Sequence, residues 1–171
     1  MKYLQPTLSL TLVALSLTAC ERLPMNEELA LHYFTSTESS YTDIKLEQGQ
    51  LTYTYFEDTE NRCAQWFKST PCWTQADLKT VTAPVDAATE TELRKLVTEQ
   101  QLMDKAPATL TAAEPQPAER SYNEKLDIRL GTNEQQLTYH SRPDAPPKPE
   151  VFQQIEQILQ TTAEKIKTPA S

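Results

Sequence analysis

Cysteine and histidine carry the first chemistry to weigh in this chain. Cys63 and Cys72 are separated by eight residues, and the third cysteine, Cys20, lies far upstream. A thioredoxin-type redox pair has two intervening residues, so the spacing does not fit that use. Metal binding would need further ligands at suitable spacing, and none is found. His32 and His140 are the only histidines, and no His-Glu-x-x-His appears, so a zinc site is not expected. His140, next to Tyr139, reads as an ordinary histidine at a strand edge. The acidic pairs Glu57-Asp58 and Glu90/Glu92 fall at a turn and a helix start, where solvation and capping explain them. Two glycines, Gly49 and Gly131, cannot furnish a phosphate-cradling loop. The Gly-x-Ser-x-Gly elbow of many serine hydrolases is missing. No residue earns a catalytic or metal-binding role, no cofactor is implied, and the chain is not expected to be an enzyme. One alternative stays open: two unmarked carboxylates about 5–9 Å apart are enough for glycoside hydrolysis.

Aromatic residues supply the less bland chemistry. Tyr53, Tyr55, Phe56, Trp66, Phe67 and Trp73 crowd around the cysteine pair. Alternation along a strand puts Tyr53 and Tyr55 on one face and Phe56 on the other. Two readings follow. Trp66 or Trp73 packs on a disulfide beneath the helices, or Trp66, Phe67, Trp73, Tyr53 and Tyr55 form a surface that binds another protein. Exposed Trp and Tyr concentrate interface energy.

The start of the chain bears on where that chemistry takes place. Met1-Lys2 is a short cationic start, Leu8 to Leu17 an uncharged leucine-rich run, and Leu17-Thr18-Ala19-Cys20 a small-residue exit. The run is too short to span a bilayer and reads as a secretory signal, residues 1–19. Leu-Thr-Ala-Cys resembles a bacterial lipobox. That resemblance implies lipidation of Cys20, a mature chain beginning there, and membrane association through the N-terminal lipid. More than one acyl chain is needed for a stable hold. Glu21-Arg22 lacks the aspartate that retains Gram-negative lipoproteins in the inner membrane, so the resemblance favours the outer membrane, facing the periplasm. A Gram-positive source would instead place the domain on the cell surface. In such an oxidising compartment the even remainder, Cys63 and Cys72, reads as a disulfide. Lys+Arg 16 against Asp+Glu 24 gives a net charge of −8. Loss of Lys2 with the signal makes the mature chain more acidic still. Such a balance argues against nucleic acid as a partner.

These groups need a scaffold, and the patterning describes one. Residues 20–28 form a short polar leader, 29–167 a single domain, and 168–171 a tail. Ile44 to Tyr53 alternates around Gly49, and Leu126 to Leu130 alternates before Gly131 and returns through Leu137 and Tyr139; both are hairpin signals. The two hairpins share short words, Gln50-Leu51-Thr52-Tyr53 and Gln136-Leu137-Thr138-Tyr139. Arg62 to Lys68 and Leu78 to Thr82 read as extended. Thr89 with Glu92 fits a capping box opening a helix whose stripe is Leu93, Leu96 and Val97. Residues 104–120, rich in Pro and Ala, read as a mobile loop. A closing helix from about Glu150 to Lys167 gathers Val151, Ile155, Ile158, Leu159 and Ile166 on one face, with Phe152 beside them. The expected fold is α+β and two-layered: an antiparallel sheet of hairpins with two amphipathic helices on one face.

From Thr89 to Thr161 the order is helix, variable loop, Tyr122-x-x-x-Leu126-x-Ile128 strand, Leu137-x-Tyr139 strand, proline-rich crossing, helix. This resembles emfourin-like inhibitors of thermolysin-type metalloproteases, and implies a protease-inhibitor-like module as a further alternative. Their glycine-rich start is missing here, so no inhibitory residue is carried over. The expected function is that of a lipid-anchored envelope lipoprotein acting as a non-catalytic binding or accessory module, with another envelope protein as partner.

Overall fold

A computed structural model describes residues 27–106, 122–141 and 145–168. Cys20, the signal segment, most of the leader, residues 107–120 of the Pro/Ala-rich loop and residues 169–171 lie outside the described residues. Among the described residues six antiparallel strands form one sheet: β1 Leu29–Ser36, β2 Tyr41–Glu47, β3 Gln50–Phe56, β4 Leu78–Pro84, β5 Tyr122–Leu130 and β6 Asn133–Ser141, in the order β4-β3-β2-β1-β5-β6. The described helices, α1 Ala87–Glu99 and α2 Glu150–Lys167, cover one face. The structure is the expected two-layer α+β fold.

Period-two alternation sorts the strands' side chains between the layers. Leu29, Leu31 and Tyr33 of β1 pair across with Ile44 and Leu46 of β2 and with Leu126, Ile128 and Leu130 of β5, all buried toward the helices. Leu51, Tyr53 and Tyr55 extend this inner face along β3, and Leu137 extends it on β6. Leu93 and Val97 of α1 and Val151, Phe152, Ile155, Leu159 and Ala163 of α2 close over it. Each large aliphatic side chain so buried contributes about 1.5–3 kcal/mol. Tight turns set the register. Gln48 (φ 52) and Gly49 (φ 70) both sit in the left-handed region between β2 and β3, and Gly131 (φ 61) begins the turn between β5 and β6, where a glycine carries no steric cost.

Two expectations are corrected, and one strand was not anticipated. The α1 N-cap is Asp86, whose carboxylate accepts from the Thr89 backbone N–H at 2.9 Å and the Thr89 hydroxyl at 2.8 Å; Thr89 is inside the helix. Arg62–Gln65 is a 3-10 turn, not a strand. β1, absent from the sequence reading as a strand, lies inside the sheet between β2 and β5.

The strands give the molecule two poles. The chain enters at Glu28, whose carbonyl accepts from the Gly131 N–H at 3.0 Å, beside the β5–β6 turn. Arg94 of α1 reaches the Glu27 carbonyl at this pole. β1 then runs eight residues, about 26 Å, to the Thr37–Ser40 turn at the other pole. The excursion from β3 to β4 leaves and returns there, because β3 ends at Phe56 opposite Leu78.

Candidate functional site

Residues 57–77, the excursion from β3 to β4, carry both tryptophans and both described cysteines. The segment has no long helix or strand, so local polar contacts must hold it. Asp58 begins it, accepting from the backbone N–H groups of Arg62 at 2.9 Å and Cys63 at 2.8 Å. That satisfies free donors at the start of the 3-10 turn. Asn61, with φ 53, turns the chain into it. Cys63 and Cys72 are joined by the expected disulfide, with Cα atoms 5.5 Å apart. At the return, Thr74 and Asp77 form a reciprocal capping box. Arg62 bonds Asp77 at 2.8 Å, tying the outgoing limb to the returning one. The Arg62 guanidinium, then the Thr74 side-chain and backbone donors, hold the Asp77 carboxyl down at about 2 from an ordinary 3.8. Arg62 also lies 5.4 Å over the Phe56 ring.

Glu57 pairs with Lys79 of β4 and Lys167 of α2, and the closed segment is fastened again beside the Thr37–Ser40 turn. The Cys72 N–H donates to the Glu38 carbonyl at 2.8 Å, and the Trp73 indole donates to the Thr37 carbonyl at 3.1 Å. Trp73 packs edge-on to Tyr41 at 5.0 Å, and Tyr41 edge-on to Phe34 at 5.6 Å. Tyr41 and Phe34 alternate with the inner residues Ile44 and Tyr33, so this stack lies on the helix-free face. Burial, then the Asp43 charge, raises the Tyr41 phenol above its ordinary value.

The five aromatic candidates therefore separate. Tyr53 and Tyr55 are core residues stacked at 4.6 Å on the helix side; as partner-binding residues they are corrected, because strand parity turns them under α2. Tyr53 donates to Glu164 of α2 at 3.2 Å, and burial followed by that carboxylate pushes its phenol up to about 12. Trp73 is the half-buried foundation of the segment, on the face opposite the helices and not beneath them. Trp66 folds over the closed loop, its indole donating to the Thr70 carbonyl while Lys68 lies 5.1 Å over its ring. Phe67 alone stands free, 95% exposed.

Two clusters of titratable groups lie elsewhere. On the helix-free face, His32 stands between carboxylates of the neighbouring strands: Nε2 is 3.1 Å from Asp43 and Nδ1 3.5 Å from Asp127. Lys45 and Arg129 pair with Asp43 and Glu47. His32, Lys45, Glu47, Asp127 and Arg129 line a shallow concavity of about 700 Å³. Nothing in the sequence marked His32, because its partners come from two other strands and only the register brings them together. Under α2, Lys148 bonds Glu124 at 2.6 Å and Glu156 at 2.5 Å, all three mostly buried. The Tyr33 phenol lies 2.8 Å from both carboxylates. Burial, then the charges of Glu124 and Glu156, raises that phenol strongly. Burial alone would lower the Lys148 ammonium, but the two carboxylates outweigh it and the net shift is upward. This second cluster joins the 145–149 crossing and α2 to the sheet, and is closed over by the Phe152 and Tyr139 rings.

Among the described residues no three His, Cys, Asp or Glu side chains converge as metal ligands. No protein-family model matches the chain, and no curated protein matches it.

Proposed function

We propose that this chain is a lipid-anchored envelope protein that binds another protein through its disulfide-closed loop, without catalysis of its own. One observation carries the reading: Phe67, a large apolar side chain, is almost fully exposed on a segment that a disulfide, an ion pair and a tryptophan stack hold in one shape. Exposing such a ring in water costs free energy, and a rigid loop loses little entropy when a partner covers it. Trp66 beside it adds a second aromatic surface, with Lys68 over its ring. An apolar pocket on another protein, edged by acidic groups, is the complementary shape.

The Leu17-Thr18-Ala19-Cys20 sequence supports the anchor. An N-terminal tether at Cys20 would hold the pole where Glu28 enters, leaving the Phe67 loop at the far end of the strands. Replacing Cys20 by Ala should then move the protein out of the membrane fraction, and equal fractionation of both forms would remove the anchor from the proposal. For the binding arm, immobilised wild-type protein should retain an envelope protein that the Phe67→Ala variant loses at least tenfold. Equal retention by the two would move the binding surface elsewhere.

A further inference from the structure

Among the described residues, β4 and β6 are the sheet's two outer strands, and they are guarded unequally. β4 has Lys79 on its inner, helix-side face opposite Tyr55, and it ends in Pro84. An inward-pointing charge and a proline are both devices that stop an edge from recruiting another strand. β6 has neither. Its nine residues, Asn133 to Ser141, contain no Lys, no Pro and one formal charge, Glu134, and they pair with β5 without a bulge from end to end. The hydrogen-bonding phase of that edge is fixed. The Gly131 N–H turns to β1, so Leu130 turns to β6 and pairs with Asn133. Alternation then points the backbone groups of Gln135, Leu137 and Tyr139 at β5, and those of Glu134, Gln136, Thr138 and His140 outward.

We propose that this outer edge of β6 is a pairing strand for a second copy of the chain, joined antiparallel about a two-fold axis at Leu137. Only that register pairs all nine residues with their counterparts. It sets Leu137 against itself as a non-hydrogen-bonded pair and makes Gln136 with Thr138, and Glu134 with His140, the hydrogen-bonded pairs that the outward backbone groups require. The side chains agree. Glu134 of each copy meets His140 of the other, twice per interface, and Gln136 meets the Thr138 hydroxyl. His140 Nδ1 lies 2.6 Å from Asn123 Oδ1 in its own copy and donates there, so Nε2 donates to the facing carboxylate from the doubly protonated ring. Two six-stranded sheets would become one of twelve strands.

The register makes a distinctive test possible in membranes from cells making two differently tagged copies of the full chain. One copy carries Glu134→Cys and the other His140→Cys, and a short bismaleimide is added. The two positions face each other across the interface, whereas either position lies about 20 Å from its own counterpart. A covalent dimer should therefore form in the mixture at least tenfold more than with either variant alone. Thr138→Pro removes only an outward N–H, so it should abolish the product while leaving the β5–β6 ladder paired. Gln136→Lys with Thr138→Lys, which opposes like charges, should do the same without proline. No dimer in the mixture, equal dimer from the single variants, a product that survives both blocking changes, or capture of a different protein at these positions would each overturn the proposal.

Discussion

Phe67 and Tyr53 are both large aromatic rings near the disulfide, and their surroundings give them opposite roles. Phe67 touches water, so Phe67→Ala should leave the unfolding free energy within about 0.5 kcal/mol of wild type while lowering affinity for the proposed partner. Tyr53 is packed under α2 and bonded to Glu164, so Tyr53→Ala should cost about 3–5 kcal/mol in a denaturant titration. If the Phe67 change were the destabilising one, the loop would be part of the core. The same residue scale sets a pH response. The folded Asp77 carboxyl, at about 2, lies below its unfolded value near 3.8. Its contribution is therefore full above about pH 4 and is lost as pH falls through 2. Backbone exchange in residues 57–77 should rise over that interval, and in Asp77→Asn it should already be high at neutral pH. Parity was legible at this scale: alternation placed Tyr53 and Tyr55 together and apart from Phe56. Whether Tyr53 and Tyr55 belong to the core or to a partner surface was not, because alternation groups residues by face without saying how far α2 covers that face.

Among the elements, the disulfide segment and the Lys148 crossing show two ways of holding irregular chain. Closing a loop of roughly ten residues contributes about 2–3 kcal/mol on the chain-entropy model. Reduction of Cys63–Cys72 should lower the melting midpoint and loosen the segment that bears Trp66 and Phe67, leaving the sheet folded; an unchanged midpoint would mean the bond adds nothing. Lys148 neutralises two mostly buried carboxylates. Lys148→Met should cost about 3–5 kcal/mol, because Glu124 and Glu156 are then left facing each other without a cation. A loss under 1 kcal/mol would show that water reaches the cluster and screens it. The hairpins, α1 and α2 were readable, since periodicity and turn glycines are local signals. β1 was not. Flanked by strands on both sides, it buries Ala30 between Leu29 and Leu31, and that run blurs the alternation that marks a half-exposed strand. Arg62 to Gln65 misled in the other direction: the Asp58 carboxylate and Asn61 backbone that bend it into a turn sit outside the stretch whose residue types look extended.

At the scale of the whole molecule, the strands separate the end where the chain enters from the end that carries the loop. The proposed tether at one pole, with the exposed Phe67 at the other, would suit a protein that meets its partner away from its own membrane surface. The acidic balance of the chain keeps the remaining surface from adhering to anionic lipid. The class of fold was legible from two one-sided helices and paired hairpins, whereas the poles follow from strand direction and from the order β4-β3-β2-β1-β5-β6, which depends on long-range pairing. The most direct test places a photo-crosslinking residue in cells at position 67 and, separately, at Gln48 in the β2–β3 turn of the entry pole. Lipid-anchored presentation of the loop predicts a discrete protein adduct from position 67 that disappears when Trp66 is replaced by Ala, and none from position 48. An adduct from position 48 with none from position 67 would contradict it.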